Sequence, residues 1–240
     1  MGLFDFITGD KPTAKNIQKQ VTKVKERYSQ PEYRRMAMEK LLAWDEPEAL
    51  DGVMQRFTVV VQSPHWDEDE KRWLVEELAE RGEKAKDAIT RFLQKENHIA
   101  FAAKALKQMI EKDEFIEELR NALLARAPTD HRSVQGKQEL IACLGEEAET
   151  NQLEIISNYL DDHGDDVQCT AIDVVEKRAV TDAYDRLVEM VTEEVHSARV
   201  LRHAAGAISR LNLPIDAEKA LAPAVLEDYM VKDGSLASNR

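Results

Sequence analysis

Apolar residues along this chain fall in short groups spaced three and four positions apart, each group ends at a polar break, and the groups themselves recur. That spacing gathers side chains on one face of an α-helix, so the pattern predicts a succession of amphipathic helices. With the last strong apolar residue of alternate helices as anchor, the anchors are Leu42, Leu78, Met109, Leu144, Val175 and Ile208, separated by 36, 31, 35, 31 and 33 residues. One helical turn earlier stand Met38, Leu74, Ala105, Leu140, Ala171 and Ala204, all apolar. Polar links such as WDEPE (44–48), ERGEK (80–84) and EKDE (111–114) follow the anchors. A second stripe comes after each link, as in Leu50, Val53, Met54 and Phe57, in Ala85, Ala88, Ile89 and Phe92, or in Ile116, Leu119 and Leu123. Two further stripes are Leu153, Ile156 and Leu160, then Tyr184, Leu187, Val188 and Val191. Pro47 and Pro214 stand where second helices would begin, a position that suits a residue with fixed φ and no N–H.

A two-helix unit of about 33 residues cannot bury its own stripe, so neighbouring units must stack into a continuous core. The expected fold is all-α: a right-handed α-solenoid of about six helix-pair repeats over residues 31–230. An N-terminal hook and capping helix (1–30) would precede it, and a flexible tail (231–240) would follow. In the capping segment Ala14, Ile17, Val21, Val24 and Tyr28 form the apolar stripe, and Leu3, Phe4, Phe6 and Ile7 are expected to pin the terminus onto it. TVVVQ (58–62) is the stretch whose β-branched residues favour a strand instead.

The segment ARVLRHAAGAISRL (198–211), with its small residues Ala204, Ala205, Gly206 and Ala207, resembles the first helix of a HEAT-like repeat. DDVQCTAIDVVEKR (165–178) and PEYRRMAMEKLLAW (31–44) are similar. The Asp and Arg that often form a ladder between such repeats are mostly missing, since Gln168 stands at the Arg-like position after Asp166. The resemblance implies a long curved surface that binds other proteins. Because HEAT-like folds also include DNA glycosylases with a basic concave groove, it leaves that activity as an alternative.

Charge narrows these options. The net charge is -13, and residues 131–196 carry sixteen acidic side chains against five basic ones, whereas residues 1–30 carry six basic and three acidic. Such a surface repels a phosphate backbone and attracts a basic partner, so nucleic acid is not the expected ligand. No run approaches the roughly 18 apolar residues of a membrane span. The basic amphipathic stretch TAKNIQKQVTKVKERY lacks the large apolar residues of a membrane-lying helix, so no stable membrane insertion is expected. The start MGLFDFITGDKP has no basic n-region, and Phe6 stands where a myristoylation signal needs Ser or Thr, so a cytoplasmic location is expected.

Residues 161–166 read DDHGDD, four carboxylates and an imidazole around one glycine. A calcium loop wants acids at alternating positions and a distant Glu, so this cluster reads as a seam between helices. Gly164 would take the left-handed conformation that ends one helix, and Asp165 or Asp166 would cap the next. Cys143, Cys169 and His163 have no zinc-ligand spacing, and both thiols are expected to be buried and inert. His196 and His203 read as a cap and a packing residue. No catalytic motif is found, and no metal or cofactor is expected. The function that follows is a non-catalytic protein–protein interaction scaffold or adaptor with an acidic concave surface. Second helices would supply that surface, through Glu154, Asn158 and Asp162 and through Asp185, Glu189 and Glu193. The alternatives are a lyase- or chaperone-like subunit acting on a bound protein, with Cys143 and Cys169 its only thiols, and a HEAT-like DNA glycosylase.

Overall fold

Four of the seven prolines, Pro31, Pro47, Pro64 and Pro223, stand in the first turn of a helix, where the absent N–H leaves no bond unmade. Ser63 caps the Pro64 helix and Ser197 one further start, by accepting from Trp66 N and Val200 N. In the computed structural model, which describes residues 11–216 and 218–239, these signals bound a mostly helical chain. Its helices are α1 (Ala14–Val24), α2 (Pro31–Trp44), α3 (Pro47–Met54), α4 (Pro64–Ala79), α5 (Glu83–Lys95), α6 (Ala100–Met109) and α7 (Lys112–Leu124). They continue as α8 (Val134–Glu147), α9 (Asp165–Arg178), α10 (Tyr184–Met190), α11 (Ala198–Leu211) and α12 (Pro223–Leu226). The hook expected at Leu3, Phe4, Phe6 and Ile7 lies outside the described residues. The chain divides into two compact units, residues 1–122 and 123–240.

In the first unit α1 packs on α2 and α3. Val21 and Val24 are buried there, while Tyr28, beyond the helix end, is exposed. The helices α2, α4 and α6 neighbour one another in turn, and α3 neighbours α5. Met38, Leu42, Leu74 and Leu78 are buried as the periodicity requires. Met109 is only half-buried, and Leu106, one turn earlier, faces the core in its place.

An ionic network runs through this core. Arg34 and Arg56 are almost wholly buried and both donate to Glu70, Arg34 Nη2 to Oε1 at 2.6 Å and Arg56 Nε to Oε2 at 2.8 Å. Asp67 accepts from Arg56 Nη2 at 2.7 Å and from Lys71 Nζ at 2.6 Å. The network also explains why TVVVQ forms no strand. Val59 and Val61 are buried and Val60 is exposed, the alternation of a strand, but side chains hold the backbone. Arg56 Nη1 donates to Val59 O at 2.8 Å and Val61 N to Asp67 Oδ1 at 3.0 Å. With those groups already satisfied, the segment needs no partner strand.

In the second unit α8 packs on α9 and α9 on α11. Leu144, Val175 and Ile208 are buried. The second helices are where expectation and structure part. Residues 150–152 form a 3₁₀ turn, and residues 154–159, expected to be α-helical, form a second. Pro214 starts no helix; it is exposed in an irregular segment, and the next helix, α12, has four residues. The tail expected to fray is a hairpin of β1 (Tyr229–Lys232) and β2 (Ser235–Ser238), paired antiparallel, with Leu236 buried. Its two turn residues, Asp233 and Gly234, have φ of 51° and 78°. Both positive values suit the right-handed twist of the flanking strands, which is why an Asp-Gly pair favours such a turn.

Candidate functional site

α10 and the turns beside it frame an open groove of about 700 Å³ in the second unit. A 3₁₀ turn at residues 181–183 leads into α10. The spacing of Asp182, Asp185 and Glu189 by three and then four residues puts their carboxylates on one face. All three line the groove. The opposite wall comes from the 3₁₀ segment 154–159 and its exit, which contribute Ser157, Asn158, Tyr159 and Asp161. Leu124, Arg126 and Pro128 close the remaining side.

Arg186 is the internal counter-ion of this surface. Its Nη1 and Nη2 donate to the two carboxylate oxygens of Glu193 at 2.9 and 2.8 Å. Its Nε and Nη2 donate to Asp161 at 2.8 and 2.5 Å, and Glu189 lies 3.3 Å away. The hydrogen bonds it donates to Glu193 and then to Asp161 outweigh partial burial and hold the guanidinium proton more firmly than usual. Reciprocally, the bond from Arg186 outweighs burial and keeps the Glu193 carboxyl below its ordinary value. His196, half-buried beside them, stands with Nδ1 3.1 Å from Gln168 Nε2 and with Nε2 3.5 Å from Arg186 Nη2, 3.5 Å from Glu193 and 3.7 Å from Asp161. It packs as a hub rather than as a helix cap. By contrast, Asp182 and Asp185 are exposed and, among the described residues, pair with no cation.

The six residues expected to form the acidic strip are therefore divided. Asn158, Asp185 and Glu189 meet in the groove, while Glu193 is bound to Arg186. Glu154 is half-buried at the start of its 3₁₀ turn and does not line the groove. Asp162 is a correction: it is no surface residue but forms a wholly buried pair with Lys137, Oδ2 to Nζ at 2.5 Å. Lys137 Nζ also donates to the carbonyls of Ala127, Pro128 and Asp130 at 3.1 to 3.3 Å. Expecting 154, 158 and 162 on one stripe assumed 3.6 residues per turn. In a 3₁₀ turn, with about three per turn, a step of four rotates roughly a third of a turn off the face. Asp161 and Asp182 were missed, although the spacing 182, 185, 189 is present in the sequence.

The DDHGDD cluster is a seam, but a stitched one. Asp161 reaches Arg186, Asp162 reaches Lys137, Asp165 accepts from Ser197 Oγ at 2.6 Å, and Asp166 pairs with Arg199 at 2.6 Å. His163 stacks on His131, with ring centroids 4.4 Å apart. Gly164 is not left-handed as expected; its φ is -93°, and it receives the start of α9 while its N–H donates to Asp162 Oδ1. Among the described residues no three His, Cys, Asp or Glu side chains are grouped to hold a metal ion. Cys169 is buried and its thiol is pushed up by that burial, whereas Cys143 is half-buried rather than buried as expected. No described helix is long and apolar enough to cross a membrane. Comparison with protein-family models, curated proteins and solved structures finds no match.

Proposed function

We propose that the chain is a non-catalytic interaction scaffold, a HEAT-like array of about six helical pairs, whose acidic groove beside α10 captures a basic segment of another protein. The observation that carries this reading is the pair Asp182 and Asp185: two exposed carboxylates that line a concave surface and, among the described residues, pair with no cation. Asp161, Glu189 and Glu193 are already shared with Arg186, so they shape the groove and set its negative field. A guanidinium or ammonium arriving at Asp182 and Asp185 gains charge-assisted hydrogen bonds, and the surrounding field steers its approach.

The test is capture of a lysine- and arginine-rich peptide by the full chain, followed across salt concentrations. Wild type is expected to bind with an affinity that falls as salt rises. The double change Asp182→Lys and Asp185→Lys is expected to remove at least about 90% of binding, equivalent to about 1.4 kcal/mol or more, with helicity unchanged. Undiminished capture by that variant would return the groove to the role of a solubilising surface.

A further inference from the structure

The ridge that carries Asp185 and Glu189 borders two grooves. On its other side a second groove of about 440 Å³ lies between α10 and the chain that leaves α11, and both carboxylates line it as well. Its walls have a different chemistry. Tyr184 and Val188 on α10 face Leu213 and Pro214, and Lys219 is the basic side chain among the described residues that line it. Tyr184 and Val188 are only half-buried and Pro214 is exposed, so apolar surface stands open to solvent directly beside the acidic ridge.

This second groove is preformed. Because Pro214 starts no helix, the segment crosses in an irregular path, and backbone hydrogen bonds fix it at both ends. Leu213 N donates to Ile208 O at 3.1 Å, Ile215 N to Gly234 O at 2.8 Å, and Ala222 N to Val191 O at 2.8 Å. A partner therefore meets a shaped slot and does not bear the entropic cost of ordering it.

We propose that the segment captured at α10 is amphipathic and extended, with basic side chains alternating with aliphatic ones across the ridge. This rests on the acidic-groove reading above and adds the second anchor. In an extended chain successive side chains point to opposite sides. The basic residues then enter the first groove beside Asp182 and Asp185, and the aliphatic residues enter the slot of Val188 and Leu213. Asp161 and Asp182 line only the first groove and Lys219 only the second, and this difference in charge sets which side each kind of residue takes. The partner is thereby defined as a protein segment with a Lys/Arg–aliphatic alternation; a purely basic chain fills half of the surface.

Fluorescence anisotropy of three labelled peptides of equal length against the full chain tests this: alternating Lys-Leu, Lys-Gly and Glu-Leu. The Lys-Leu peptide is expected to bind about tenfold or more tighter than Lys-Gly, the gain from burying a leucine side chain. Glu-Leu is expected not to bind. Val188→Ser, at a half-exposed position, is expected to leave the circular dichroism spectrum unchanged, to weaken Lys-Leu about tenfold and to leave Lys-Gly unchanged. Tyr184→Ser, a second variant in the same wall, is expected to act in the same direction. Asp185→Lys is expected to weaken both basic peptides. Equal binding of Lys-Leu and Lys-Gly, with no effect of Val188→Ser or Tyr184→Ser, would overturn the apolar anchor and leave the acidic groove standing. Lys-Leu binding that survives Asp185→Lys unchanged would overturn both.

Discussion

Asp162 and Asp185 carry the same side chain and both stand in acidic stretches, yet one is buried against Lys137 and the other is open to solvent in a groove. What distinguishes them is the partner, 25 residues away in one case and absent among the described residues in the other. Removing the partner of a buried charge leaves an uncompensated ion, so Asp162→Ala is expected to cost about 3 to 5 kcal/mol. Asp185→Ala is expected to stay within about 0.5 kcal/mol. Chemical denaturation of both variants reads the contrast, and equal midpoints would show that Lys137 finds another counter-ion. In the first unit the same reasoning gives a pH dependence. Burial raises the Asp67 carboxyl, but hydrogen bonds from Lys71, Arg56 and the Val61 amide outweigh it, and its value in the folded chain is depressed. The stabilisation from this group is therefore present above the unfolded value of about 3.9 and is lost as pH falls through the lower folded value. Melting temperatures taken between pH 2 and 7 are expected to fall below about pH 4, and less steeply in Asp67→Asn.

Elements were legible where one periodicity governed a long run. The stripes of α2, α4, α5 and α11 were read correctly because three or more turns reinforce each phase. Short segments held by side chains were not. TVVVQ has strand-like alternation without a strand because Arg56 and Asp67 satisfy its backbone, and residues 154–159 tighten into 3₁₀ geometry where Tyr159 Oη donates to Leu123 O at 2.6 Å. The hairpin was missed although its signal, Asp233-Gly234 between two short runs, was in plain sequence. Two glycines show the difference between a conformational and a packing constraint. Gly234, at φ 78°, has open space around its missing Cβ, so Gly234→Val meets only backbone strain of about 1 to 2 kcal/mol. Gly164 has an ordinary φ, but a Cβ there would stand 3.2 Å from Val134 Cγ2, so Gly164→Val costs about 1 to 3 kcal/mol through crowding between α8 and the start of α9. Hydrogen exchange separates them. Gly234→Val is expected to speed exchange at the Ile215 amide, which donates to Gly234 O, and Gly164→Val at the amides of the first turn of α9.

At the scale of the whole molecule, charge is divided unequally between the units. Residues 1–122 hold 24 acidic and 21 basic side chains, a net of -3, whereas residues 123–240 hold 22 and 12, a net of -10. This asymmetry was legible in the sequence. What was not legible is which carboxylates of the second unit are internally paired: Asp162 with Lys137, Asp166 with Arg199, Glu176 with Arg210, and Asp161 and Glu193 with Arg186. Net charge alone thus does not say which carboxylates face a partner, and two hypotheses diverge. If diffuse attraction governs capture, any change that adds the same charge lowers it equally; if the groove governs capture, position decides. Replacing Asp182, Asp185 and Glu189 by Lys, and separately replacing the exposed Glu46, Glu76 and Asp87 of the first unit by Lys, shifts the molecule by the same six charges. Calorimetric titration with the alternating Lys-Leu peptide is expected to show at least about a tenfold loss of affinity in the first variant and less than about threefold in the second. Equal losses would mean that the field of the whole chain, rather than the ridge on α10, draws the partner in.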